Sequence, residues 1–79
     1  MPRFHFHIRS DIQAQDPEGC EFPDVAAAEQ RAMQSARILM SDEIARSGST
    51  SLSHAIEITD SAGVLLRTVP FSAAVTIRP

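Results

Sequence analysis

Between Val25 and about Arg46 the chain carries neither glycine nor proline, and its residues there are strong helix formers. A helix of that span within 79 residues leaves room for one core and one domain, residues 1–79. Pro23 and Asp24 open it, with Asp24 as an N-cap for the free amides of the first turn. Gly48 suits the left-handed position that closes it. At about 100° per residue, Val25, Ala28, Ala32, Met33, Ala36, Leu39, Met40 and Ile44 share one broad face. Three alanines in that stripe allow a close approach to whatever lies beneath.

A sheet is what lies beneath. Phe4, Phe6 and Ile8 alternate with Arg3, His5, His7 and Arg9, the period of a half-buried strand. Asp16-Pro17-Glu18-Gly19 has proline and glycine where a turn needs them, so Cys20-Glu21-Phe22 pairs back on the first strand. A second hairpin spans residues 55–60 and 64–69 around Ser61-Ala62-Gly63, and Pro70 ends it. With Asp60 opposite Val64, Ile58 meets Leu66 on the inner face, Ile56 meets Thr68, and Glu57 meets Arg67 on the outer face. Phe71, Val75 and Ile77 form a tail that tucks against the core or extends an edge. The expected fold is α+β in the order β-β-α-β-β: an antiparallel sheet of about four strands with one long helix on one face.

Composition narrows the function classes. A chain this size buries only about 60% of its unfolded surface, and a net stability of ~3–5 kcal/mol is the expectation. Cys20 is the sole cysteine, which excludes an intramolecular disulfide and a thiolate zinc site. Association is the remedy left open. The formal charge is −3, spread along the chain, and all seven basic residues are arginine. That balance disfavours a dedicated nucleic-acid binder. The opening residues lack the apolar stretch of a signal peptide, and no window approaches the ~18 apolar residues of a membrane span. The expectation is a cytoplasmic domain with no membrane partner.

The opening Met1-Pro2-Arg3-Phe4-His5-Phe6-His7, the turn Asp16-Pro17-Glu18-Gly19, the helix start Glu21-Phe22-Pro23-Asp24, and Asp60-Ser61-Ala62-Gly63 followed by Val69-Pro70-Phe71 carry a resemblance. Together they are similar to a family of short, uncharacterised bacterial proteins classed as a domain of unknown function. The resemblance covers nearly the whole chain. In that family the opening more often reads Pro-Arg-Tyr-Phe-Phe-His, so Phe4 stands for the tyrosine, His5 for an aromatic, and His7 matches the histidine. The polar stretch from Ser10 to Gln15 is longer than in relatives, which carry an Asp-Gly turn there. No activity comes with the resemblance.

Candidate sites are few. His5 and His7 lie two apart on one strand and point the same way, acceptable geometry for two ligands on one metal ion. His54 or Glu57 supplies a third only if the strands are neighbours. Arg3, His5, His7 and Arg9 also suggest a ladder for phosphate, with Phe4 and Phe6 as a base-stacking platform. Burial of ~2–3 kcal/mol per phenylalanine assigns both rings to the core instead. Glu29 and Glu43 flank the apolar stripe, too far apart along the helix to act as a catalytic pair. Cys20 has no identified base beside it and reads as a small hydrophobe. The serine-rich loop, residues 47–53, matches no phosphate-binding or nucleophile motif and reads as a linker. No cofactor motif is present.

The uncovered outer sheet face is the remaining feature. On the register above it carries Arg3, His5, His7, Glu57, Leu65, Arg67 and Val69, with Leu65 and Val69 as an apolar pair. Ile38 is a second exposed outlier, on the helix. The leading expectation is a small non-enzymatic interaction module that associates through this face, as a homo-oligomer or with a protein partner. A metal- or small-ligand-binding protein using His5 and His7 is the alternative. An RNA-binding sheet and an enzyme rank behind both.

Overall fold

Strand β1 (Arg3–Arg9) alternates because its two faces meet different environments, with Phe4, Phe6 and Ile8 packed in or against the core and His5 and His7 on the other face. The computed structural model describes residues 1–11 and 13–79; Ile12, within the polar stretch between Ser10 and Gln15, lies outside the described residues. After β1 come β2 (Cys20–Glu21), helix α1 (Val25–Ser47), β3 (Ala55–Thr59), β4 (Leu65–Pro70) and a one-turn helix α2 (Phe71–Ala74). The four strands form one antiparallel sheet in the order β2-β1-β3-β4. The two hairpins therefore join through β1 and β3, a choice the sequence leaves open.

Helix α1 is bounded as its termini dictate. Asp24 Oδ1 accepts from the Ala27 amide at 2.9 Å, satisfying one of the orphan donors of the first turn. Gly48 adopts φ 77° and its amide bonds the Ile44 carbonyl at 2.8 Å, so a residue without Cβ closes the helix. Ala28, Ala32, Ala36 and Met40 are its buried residues, a single seam at four-residue spacing. They meet Phe4, Ile56, Ile58, Val69, Phe71 and Ala74 in the core, with Phe6, Ile8, Phe22, Val25, Met33 and Leu66 packed around it.

Leu39 and Ile44, expected on the buried stripe, are exposed. A 23-residue helix is about 34 Å long, and the 5-residue strand β3 about 17 Å. Met40 is still buried, so the sheet reaches that far: Leu39 is exposed because it lies one step of about 100° off the alanine–Met40 seam, and Ile44, a turn past Met40, has no strand beneath it among the described residues. Phe71 tucks in as expected, but through α2 rather than an extended tail, while Ile77 stays exposed.

The second hairpin keeps its predicted turn and changes its register. Asp60 and Val64 are paired through the Asp60 amide and the Val64 carbonyl at 3.1 Å, and Asp60 Oδ1 accepts from the Ala62 and Val64 amides. Thr59 then opposes Leu65, but Ile58 opposes Arg67, Glu57 opposes Thr68 and Ile56 opposes Val69. Leu66 is the extra residue of a β-bulge. The expected pairs Ile58–Leu66, Ile56–Thr68 and Glu57–Arg67 are thereby corrected. The reason is energetic: the regular register buries the Thr68 hydroxyl and exposes Val69. The bulge exchanges the two, gaining ~1.5–3 kcal/mol for a buried valine and avoiding an unpaired hydroxyl.

Candidate interaction face

The sheet face turned away from α1 is built mainly from β1 and β3. His5 is opposite Thr59, His7 opposite Glu57 and Arg9 opposite Ala55, so these side chains stand on one surface. Arg3 lies at one end, 3.6 Å from Glu21 of β2, and Arg9 at the other, 3.4 Å from Glu57. Leu65, opposite Thr59, adds an exposed apolar side chain from β4.

Two residues expected on this face are not there. Val69 is buried under α1, and Arg67 sits on the helix side, its Nε 3.4 Å from Glu29 Oε1. The bulge at Leu66 turns both over, because a one-residue slip moves every following side chain to the opposite face. The apolar pair Leu65–Val69 does not exist; Leu65 stands without it. Glu29 is accordingly a surface ion-pair partner, and Cys20 is a free, exposed thiol.

The two histidines are held by one residue that sequence reasoning passed over. Asp16 loops back beside β1, and its carboxylate accepts from the Phe6 amide and the Gly19 amide, each at 3.1 Å. Its main chain grips the rings: the Asp16 amide donates to His7 Nδ1 at 3.0 Å, and His5 Nδ1 lies 2.8 Å from the Asp16 carbonyl. These bonds fix the tautomers. His7 Nδ1 accepts, so the proton sits on Nε2 and is donated to Thr59 Oγ1 at 3.1 Å. A carbonyl only accepts, so His5 carries its proton on Nδ1 and presents Nε2 outward. The rings stack at 6.3 Å and 9°. The signal was present as an aspartate opening a Pro-Glu-Gly turn, a residue type that bonds its own loop.

Burial pushes the Asp16 carboxyl up, but the Phe6 and Gly19 amides, the nearby His5 and the Glu18 amide outweigh it and hold the group below its ordinary value. Asp16 also closes the outer edge of β1, helped by the paired amides and carbonyls of Ile8 and Ala14 at 2.9 and 3.0 Å. Gly19 makes the loop possible. It has φ 69°, and a Cβ there would lie 2.6 Å from the Phe4 carbonyl oxygen and 2.9 Å from the His5 ring. Gly19→Ala is expected to cost at least ~1–3 kcal/mol, a fall of several degrees in a thermal melt followed by circular dichroism.

As to metal, both ring nitrogens of His7 are already bonded, so an ion on the His5–His7 pair has to displace Asp16 or Thr59. His7 and Glu57 are neighbours across the strands, yet among the described residues no group of three His, Cys, Asp or Glu is arranged to hold an ion. As to RNA, Phe4 is buried and Phe6 packs edge-on against Phe22 at 5.8 Å, both on the helix side. Among the described residues no helix is long and apolar enough to cross a membrane.

No match was found among curated proteins or among solved structures. The family model described as Domain of unknown function (DUF6894) matches residues 3–72, and the chain belongs to that family.

Proposed function

We propose that the domain is a non-enzymatic interaction module that pairs with a second copy of itself through the uncovered sheet face. The observation that supports this most is that most polar groups of the face already have partners. His7 has both nitrogens bonded, His5 has Nδ1 bonded, Asp16 is saturated by amides, and each terminal arginine has a carboxylate. Covering such a surface strips water while stranding few donors or acceptors, His5 Nε2 being one that the partner has to satisfy, and stranded groups are the usual obstacle to burying a polar face. Its charges allow a like partner. Arg3 and Glu21 sit at one end, Arg9 and Glu57 at the other, so each end is neutral as a pair and a second copy meets no net like-charge repulsion there.

The face is small. Strands about 4.8 Å apart and at most seven residues long offer less than the ~800 Å² per partner of a standard interface. A monomer–dimer equilibrium in the micromolar range follows, with Leu65 as its one large apolar contact. Leu65→Arg is expected to raise the dissociation constant at least tenfold in sedimentation velocity. Ile38→Arg, on the exposed side of α1, leaves it within twofold. Equal behaviour of the two variants refutes the assignment of this face.

A further inference from the structure

The C-terminal half of α1 forms one wall of a groove that the sheet-face reading does not use. Its volume is about 280 Å³, and its walls are Arg37, Met40 and Ile44 from α1 with Leu52, Val75 and Ile77 across from them. Ile44, Leu52 and Ile77 are 52, 39 and 73% exposed, so three large apolar side chains border one hollow without filling it. A hollow of this size is too narrow for a helix about 10 Å across, and it holds about nine heavy atoms at ~30 Å³ each. Its apolar run from Arg37 to Ile44 spans seven residues of helix, roughly 10 Å. Those are the dimensions of a short aliphatic chain.

The polar groups at the groove say what the head of that chain is. Arg37 donates from Nε to the Ala74 carbonyl at 2.6 Å, which pins the guanidinium beside Val75 at one end of the hollow. The ion pairs found among the described residues belong to Arg3, Arg9 and Arg67, so this anchored cation has no carboxylate there. Its two terminal nitrogens form a fork suited to a carboxylate. Thr50, two residues before Leu52, also lines the groove, and its Oγ1 is shut off from solvent with no hydrogen-bond partner among the described residues, an orphan of the kind ligands satisfy.

We infer that this groove binds a medium-chain aliphatic carboxylate, with its tail along Met40, Ile44, Leu52 and Val75 and its head on the Arg37 guanidinium. The site lies on the helix side of the sheet and is independent of pairing through the outer face.

Calorimetric titration of the whole chain with hexanoate, octanoate and 1-octanol tests it. Each added methylene buries about 0.8 kcal/mol of apolar surface, so octanoate binds about fifteenfold tighter than hexanoate. The wild type also prefers octanoate to 1-octanol by tenfold or more, and salt narrows that preference. Arg37→Gln abolishes the preference and leaves 1-octanol within twofold of wild type. Ile44→Ser weakens both ligands. Equal affinity of wild type for octanoate and 1-octanol overturns the head-group assignment, even if a variant fails to fold. No dependence on chain length, or no binding at millimolar octanoate, overturns the site itself.

Discussion

Ile58→Ala is expected to destabilise the domain by about 2–5 kcal/mol, the cost of deleting a fully buried branched side chain and leaving a cavity. Ile58 and Ile56 are the largest side chains with essentially no exposure, and both come from β3, which pairs with β1 on one side and β4 on the other. Alanines line the helix above them, so little side-chain volume is available to collapse into the hole. Against a net stability of only ~3–5 kcal/mol for a domain this size, the variant keeps no more than about 3 kcal/mol. Urea titration followed by circular dichroism reads this directly: the variant's midpoint falls far below that of the wild type, or its transition is lost altogether. Leu65→Ala, at an exposed position, moves the midpoint by no more than ~0.5 kcal/mol. A loss below 1 kcal/mol at Ile58 contradicts the packing described.

Asp16→Ala is the second large effect, expected at about 2–3 kcal/mol. The carboxylate bonds two main-chain amides, and hydrogen bonds to a charged group contribute roughly 1.5–3 kcal/mol each, reduced here by partial exposure. The native carboxyl is held below its unfolded value, so its contribution is complete above the unfolded value and is lost as pH falls through the folded one. Wild-type melting temperature therefore falls on acidification below roughly pH 4, and Asp16→Asn shows a flatter acid limb over the same range. Matching acid limbs contradict the role assigned to the carboxylate. Nitrogen-detected NMR of the rings supplies a second readout, because losing the loop frees His7 Nδ1 and lets both tautomers appear.

Much of this architecture is written in local pattern. The alternation from Arg3 to Arg9, the cap pair Asp24 and Gly48, and the Asp60–Gly63 turn each follow from chemistry that acts over a few residues, and each is present in the structure. The outer-face positions of His5, His7 and Glu57 follow from the same alternation. What escaped depends on tertiary competition. The bulge at Leu66 is chosen because Val69 gains more from the core than Thr68 does, a comparison between two registers that no short window contains. It moved Arg67 and Val69 off the candidate face. Leu39 and Ile44 carry the helical period, yet the buried seam is narrower than the apolar stripe, which leaves Leu39 beside it, and it ends at Met40, which leaves Ile44 beyond it. Asp16 reads as a turn residue, and its grip on two rings becomes visible only when the loop is laid beside β1.

Light scattering coupled to size exclusion, run on the wild-type chain over a wide concentration range with and without zinc, tests pairing through the sheet face most directly. The predicted mass rises from the 8.6 kDa of one chain toward twice that value as concentration increases through the micromolar range, on the same curve with zinc and without it. A mass that stays at 8.6 kDa at every concentration contradicts self-association, and a dimer that appears only with zinc contradicts the sheet-face account in favour of a metal held by His5 and His7.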